Sequence, residues 1–130
     1  MKRIMVVEDS ALHQKMYDMI LAIYRSKGVE ILHAANGQEA LACLSACPDT
    51  DLVILDINMP VMSGLEFLRR MKDEEAFRDI PAIICSTEGK DEDIVRGLRA
   101  GARGYVKKPF LPVQLLDLIA RVMAPAEGRV

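Results

Sequence analysis

Short apolar runs and longer periodic segments alternate along this chain. The runs are Ile4-Met5-Val6-Val7, then Val29, Ile31 and Leu32 broken by Glu30, then Leu52-Val53-Ile54-Leu55, Ala82-Ile83-Ile84-Cys85 and Gly104-Tyr105-Val106. Runs this short, bounded by polar and turn residues, predict strands buried on both faces of a sheet. Between them, apolar residues recur at helical spacing: Leu12, Met16, Met19, Ile20 and Ile23; Ala40, Leu41 and Leu44; Leu65, Leu68 and Met71; Ile94, Val95 and Leu98; Leu115, Leu118, Ile119 and Val122. In the first of these segments Lys15, Asp18 and Arg25 fall off the apolar stripe. Ser10 is placed to cap that helix and Gly28 to end it, Asn36-Gly37 marks a turn, and Pro81 sits where a strand can begin but not continue.

The pattern predicts five strands alternating with five helices, hence an α/β fold: a doubly wound parallel sheet covered by helices on both faces. The first, third and fourth runs are the most continuously apolar, so they belong in the centre. The second and fifth are more mixed and belong at the edges. That assignment gives the flavodoxin-like strand order 2-1-3-4-5. The chain reads as one domain over 1–124 with a short tail over 125–130, and it contains no repeat or interdomain linker.

Composition narrows the class. The chain has 130 residues, 51% of them hydrophobic, and a net charge of −2, which suits a soluble globular domain and gives no bulk attraction for nucleic acid. Met1-Lys2-Arg3 is a basic start, but the apolar run after it stops at Glu8, too early for a signal peptide or a membrane span. No membrane insertion and a cytoplasmic location are therefore expected. Cys43, Cys47 and Cys85 lack the partners of a metal site; Cys85 is expected in the core.

The chemistry gathers at strand ends. Glu8 and Asp9 end the first run, Asp56 the third, Ser86 and Thr87 the fourth, and Lys107-Lys108 the fifth. In a sheet of order 2-1-3-4-5 the chain direction switches between strands one and three, and ligands bind there, beyond the carboxyl ends. Glu8, Asp9 and Asp56 should converge in that crevice. Two carboxylates about 5 Å apart repel by roughly 3 kcal/mol at an effective dielectric near 20, so the set calls for a cation. Hard oxygen ligands suit Mg²⁺, with Asn58 adding a backbone carbonyl. Lys108 would reach in as a point charge toward a bound anion, and Ser86 would add a hydroxyl donor. Three acids, a lysine and a hydroxyl describe a metal-assisted phosphoryl site, with Asp56 as nucleophile and Glu8 and Asp9 as metal ligands.

Glu8-Asp9, Asp56, Asn58-Met59-Pro60, Gly64, Ser86, Gly101-Ala102, Tyr105 and Lys108-Pro109-Phe110 occur in order over almost the whole chain. In this the sequence resembles the receiver domain of two-component response regulators, in particular the single-domain chemotaxis type. The resemblance implies a phosphorylation-dependent switch. Asp56 would accept a phosphoryl group, with Mg²⁺, from a sensor histidine kinase, a phosphotransfer protein or a small acyl phosphate. The domain would promote only its own phosphorylation and dephosphorylation. Ser86 would then turn toward the phosphoryl group and Tyr105 move inward. The helix from about Asp91 to Ala100, the strand at Tyr105 and the helix from about Pro112 to Met123 would present the altered surface to a downstream target protein. A cis peptide at Lys108-Pro109 is expected, as in similar domains. The domain would be a monomer or dimerise on phosphorylation.

Thr87 stands where such domains usually carry a smaller residue, so its extra bulk bears on access to Asp56. Asn58 and Glu88 are the types found in rapidly dephosphorylating chemotaxis regulators, and fast hydrolysis is expected here. Other readings differ in kind. One is a receiver from a longer regulator with a DNA-binding or enzymatic output, or a phosphorelay intermediate. Another is a phosphohydrolase with an Asp nucleophile. A flavin carrier needs a Gly-, Ser- or Thr-rich cradle where this chain has Glu8-Asp9-Ser10. A constitutive binding module would not need the complete acid, hydroxyl and lysine set.

Overall fold

The computed structural model describes residues 1–57, 62–87 and 91–124, with Thr87 described through its backbone alone. In chain order the elements are β1 (Arg3–Val7), α1 (Ala11–Ile20), α2 (Ala22–Ser26), β2 (Glu30–Ala34), α3 (Gly37–Ala46), β3 (Leu52–Asp56), α4 (Gly64–Asp73), β4 (Ala82–Thr87), α5 (Asp91–Arg99), β5 (Gly104–Lys108) and α6 (Pro112–Val122). All strand pairs are parallel and the order is β2-β1-β3-β4-β5. The central strands are the continuously apolar ones: every residue of β3 is buried. Exposed side chains alternate with buried ones in the edge strand β5.

Period-2 alternation sorts the sheet into two layers. Ile4, Val6, Leu52, Ile54, Ile83, Cys85 and Val106 pack with Tyr17 and Leu21 and with Leu115, Leu118, Ile119 and Val122 of α6. Met5, Val7, Val53, Leu55, Ala82 and Ile84 pack on the other side with Ala40 and Leu44 of α3 and with Phe67, Leu68 and Met71 of α4. Burial of each such large aliphatic side chain contributes about 1.5–3 kcal/mol. α5 covers the same side, and its Gly97 lies so close to β4 that a Cβ would collide with Ile84 Cδ1. At the end of α5, Gly101 takes φ +113°, a left-handed stop that favours glycine.

Two expectations are corrected. The described residues form six helices, not five, because the first helical segment divides at Leu21. That residue is fully buried and has φ −86° and ψ 5°, outside the α region. Its carbonyl accepts from Tyr24 N at 3.0 Å as well as from Arg25 N at 3.1 Å, a local tightening of the ladder. The apolar stripe read on this segment is only in part its core face: Met16 and Ile20 pack against the core. Leu12 is 74% exposed and Met19 79%, and Ile23 is exposed too; Tyr17 and Leu21, four residues apart, fill the core instead. Leu12, Met16, Met19 and Ile20 line an open groove of about 880 Å³ with Phe110, Pro112 and Leu116. No described helix is long and apolar enough to cross a membrane.

Candidate functional site

The crevice beyond the carboxyl ends of β1, β3 and β5 is built by strand parity. Glu8 continues the alternation of Ile4 and Val6, Asp56 that of Leu52 and Ile54, and Lys108 that of Val106, so all three belong to the layer of α1 and α6. Lys108 Nζ donates to Asp56 Oδ2 at 3.0 Å and to Glu8 Oε2 at 3.1 Å. Glu8, Asp9 and Asp56 each offer an oxygen within 4.8 Å of the others. Glu8 and Asp56 are buried and Asp9 is exposed, so the cluster opens to solvent on one side.

Local sequence holds each part in place. Glu8 N donates to Ala34 O at 2.9 Å, which docks the end of β1 on β2. Ser10 caps α1: its hydroxyl accepts from His13 N at 3.3 Å, and its own N–H donates to Glu8 Oε1 at 3.2 Å. Gln14 Nε2 donates to Glu8 O at 2.7 Å. Beyond Asp56, Gly64 opens α4 against the chain it has just left. Gly64 N donates to Ile57 O at 3.1 Å, and a Cβ on Gly64 would collide with the Asp56 carbonyl oxygen and lie 2.7 Å from Ile57 Cα. The Lys108-Pro109 peptide is cis, as expected.

Beneath the acids, Cys85 pairs with Asp56 in the sheet, and Tyr17 OH donates to Cys85 Sγ at 3.0 Å. Tyr17 also lies 6.2 Å, ring centre to ring centre, from Phe110. Burial pushes the Cys85 thiol up to about 12, and pushes the Tyr17 phenol up as well. Both stay neutral and form an inert floor.

Electrostatics at the rim are unbalanced. Burial pushes Glu8 above the usual carboxylate range; Lys108 pulls it back, and the charge of Asp56 pushes it further up. Burial works against the charge on Lys108, but its hydrogen bond to Asp56 and the two nearby carboxylates outweigh that and hold it above the usual lysine value. Three acids face one lysine, so the cluster favours a further cation. Ligands of an octahedral Mg²⁺ lie about 3 Å apart when adjacent and about 4 Å when opposite. The three oxygens lie within 4.8 Å of one another, and their hard carboxylate chemistry fits the ion.

Ser86 is fully buried at the end of β4, and its parity with Ile84 assigns it to the opposite layer. Tyr105 shares that side of the sheet and is 44% exposed. Asn58 and Glu88, and the tail over 125–130, lie outside the described residues, as does the side chain of Thr87. The sequence reading passed over His13, whose Nδ1 lies 3.3 Å from Lys108 Nζ, and over Tyr17 and Gln14. For His13 a signal was present: three residues after a capping Ser10, it occupies the helix position that faces back toward the cap and hence toward Glu8.

A family model described as the response regulator receiver domain matches residues 4–120. The phosphate regulon transcriptional regulatory protein PhoB of Escherichia coli is 37% identical over 122 residues, which cover 94% of this chain and 52% of PhoB. The chain thus spans about half the length of that relative. The chemotaxis protein CheY1 of Helicobacter pylori is 33% identical over 121 residues, covering 93% of this chain and 96% of CheY1. Among solved structures, the chemotaxis response regulator CheY4 of Vibrio cholerae superposes with a TM-score of 0.83 at 34% identity, over 95% of this chain and 99% of that one.

Proposed function

The chain belongs to the response regulator receiver domain family, and from that premise we propose that it is a signalling switch thrown by phosphorylation of Asp56. The observation that carries the reading is the convergence of Lys108 and the Glu8, Asp9 and Asp56 cluster on one partly open crevice. An Asp56 carboxylate oxygen attacks the phosphorus of a donor. The oxygen–phosphorus bond forms as the donor bond breaks, and the leaving group departs with the electron pair. From a sensor histidine kinase or phosphotransfer protein that group is an imidazole; from an acyl phosphate it is a carboxylate. Glu8, Asp9 and Asp56, with a carbonyl from Asn58, would hold Mg²⁺. When bound, the ion neutralises charge on the phosphoryl oxygens. Lys108 is held within the crevice and turns one N–H to the incoming anion.

The chain promotes only its own phosphorylation and dephosphorylation and turns over no other substrate. Ser86 supplies a hydroxyl from the opposite layer, and Tyr105, on that same side, moves inward as Ser86 turns. The face formed by α5, β5 and α6 then changes its preference for a downstream target protein, or for a second copy of the chain. Phosphorylation shifts that equilibrium only as far as it favours one arrangement over the other. A cavity of about 510 Å³ on this face, lined by Tyr105, Lys107, Gln114, Asp117 and Arg121, offers mixed polar and apolar chemistry to a partner. Asn58 and Glu88 favour rapid hydrolysis of phospho-Asp56, and Thr87 tunes access to it.

The test is intact mass after incubation with acetyl phosphate and Mg²⁺, quenched rapidly, for wild type and Asp56→Ala. One added phosphoryl group, absent in the variant and absent without Mg²⁺, is the expected result. No adduct on the wild type, or an equal adduct on Asp56→Ala, overturns the reading. A phosphoryl lifetime of hours overturns the part concerning Asn58 and Glu88. The match to about half of PhoB favours a second reading, in which the chain is the receiver region of a longer regulator; the intact reading frame decides it.

A further inference from the structure

An ammonium group has three N–H donors and no acceptor. At Lys108 the three have three acceptors within reach: Asp56 Oδ2 at 3.0 Å, Glu8 Oε2 at 3.1 Å and His13 Nδ1 at 3.3 Å. Because the lysine can only donate, its contact with the imidazole requires Nδ1 to be the unprotonated nitrogen, with the ring proton on Nε2. One other contact competes. Nδ1 also lies 3.4 Å from Glu8 Oε1, which a protonated Nδ1 would address. That oxygen already accepts the Ser10 N–H at 3.2 Å, whereas nothing else described on Lys108 uses its third donor.

The three acceptors differ in kind. Glu8 and Asp56 are also the residues placed to hold a cation, so their oxygens have two claimants. His13 stands outside the acid cluster. Its backbone is held at the start of the helix: His13 N donates to the Ser10 hydroxyl at 3.3 Å, in the first turn of α1. A long lysine side chain loses rotamer freedom when it is held in one place, and a tether that does not compete with the metal supplies that order throughout the reaction.

We propose that His13 is a positioning residue of the phosphorylation site, its Nδ1 tethering the Lys108 ammonium over Asp56 while the carboxylates are engaged elsewhere. The proposal rests on the reading of Asp56 as phosphoacceptor, but its contact is testable without phosphorylation. In the full chain labelled with ¹⁵N-histidine, two-bond ¹H–¹⁵N spectra of the neutral ring should show His13 with the proton on Nε2, and Lys108→Met should shift the Nδ1 resonance. A proton on Nδ1, or an Nδ1 signal that ignores Lys108→Met, overturns the proposal.

Kinetics supply the second arm. With acetyl phosphate at saturating Mg²⁺, His13→Ala should lower the maximal phosphorylation rate by about tenfold and leave the Mg²⁺ concentration for half-maximal rate unchanged. His13→Asn should restore the rate to within about twofold, because its side-chain oxygen sits on Cγ as Nδ1 does. His13→Gln, whose polar atoms lie one bond further out, should behave as His13→Ala. A merely structural histidine would not separate Asn from Gln. Equal rates for wild type and Ala, equal rescue by Asn and Gln, or a shifted Mg²⁺ dependence overturns the tether. If wild type takes up no phosphoryl group at all, the reading of Asp56 fails, and the imidazole spectrum still decides for or against the contact.

Discussion

The two ends of the sheet carry the same kinds of charged residue and treat them in opposite ways. At the amino end, Arg3 bridges Glu30 at 2.7 Å and Asp49, and the Arg3 N–H donates to the Asp51 carboxylate at 3.0 Å. These charges are half-exposed or exposed, and each acid has a nearby donor as well as water. The hydrogen bond from Arg3 holds Asp49 below the usual carboxylate value. At the carboxyl end, three acids share one lysine, Glu8 is 1% exposed, and burial pushes Glu8 the other way. A carboxylate is lowered at one end and raised at the other because one end is solvated and paired while the other is desolvated and outnumbered. The amino end is electrostatically complete. The carboxyl end keeps an unbalanced acidic cluster, the kind of imbalance found at sites for charged ligands.

The sharpest way to break this comparison is Lys108→Met. It should slow phosphorylation of Asp56 by about 100-fold and lower stability by about 1–3 kcal/mol, the loss reduced by partial exposure; phosphorylation assays and urea melts read both. Next is Mg²⁺ itself. At a concentration about 100 times its dissociation constant it should stabilise the fold by about 2.7 kcal/mol, seen as a raised melting temperature, and Asp9→Ala should abolish the shift. The same increase in Asp9→Ala would place the ion elsewhere.

Glu8→Gln tests the sign of the imbalance. A carboxyl raised above its ordinary value of 4.5 binds a proton more readily in the fold than in the unfolded chain. Stability from this group is therefore greatest below that value and is lost as pH rises through it toward the raised value. Urea melts should find the variant at least as stable as wild type near neutral pH, with the advantage vanishing in acid. A variant weaker at neutral pH would mean that attraction to Lys108 outweighs desolvation. The smallest effect belongs to the amino end: Arg3→Ala should leave the urea midpoint nearly unchanged, and high salt should erase what difference there is.

Much of this was legible in the sequence. Strands buried on both faces are short apolar runs, so β1, β3 and β4 stood out, and their continuity put them in the centre. An acid or hydroxyl directly after such a run lies at the rim of the sheet, which placed Glu8, Asp9, Asp56 and Ser86 in one region before any side chain was located. The first helix was misread because periodicity reports an apolar face without saying what covers it. Leu12 and Met19 lie on the stripe yet are exposed, whereas Tyr17 and Leu21 are the residues of this segment that are fully buried in the core. The break at Leu21 was equally silent, since leucine favours helix and nothing in the local sequence marks a stop there.

By itself, then, the sequence determined the α/β class, the strand order and the residue types that meet at the carboxyl ends, because strand parity and chain reversal are properties of a linear pattern. Only the tertiary structure decided which donors and acceptors pair. Lys108 lies 100 residues from Glu8 and 95 from His13 along the chain, and the three meet because β5 and the first turn of α1 overhang the same crevice. Distances of about 3 Å between residues so remote depend on how the layers pack, and side-chain packing is a many-body outcome that no local run of residues encodes.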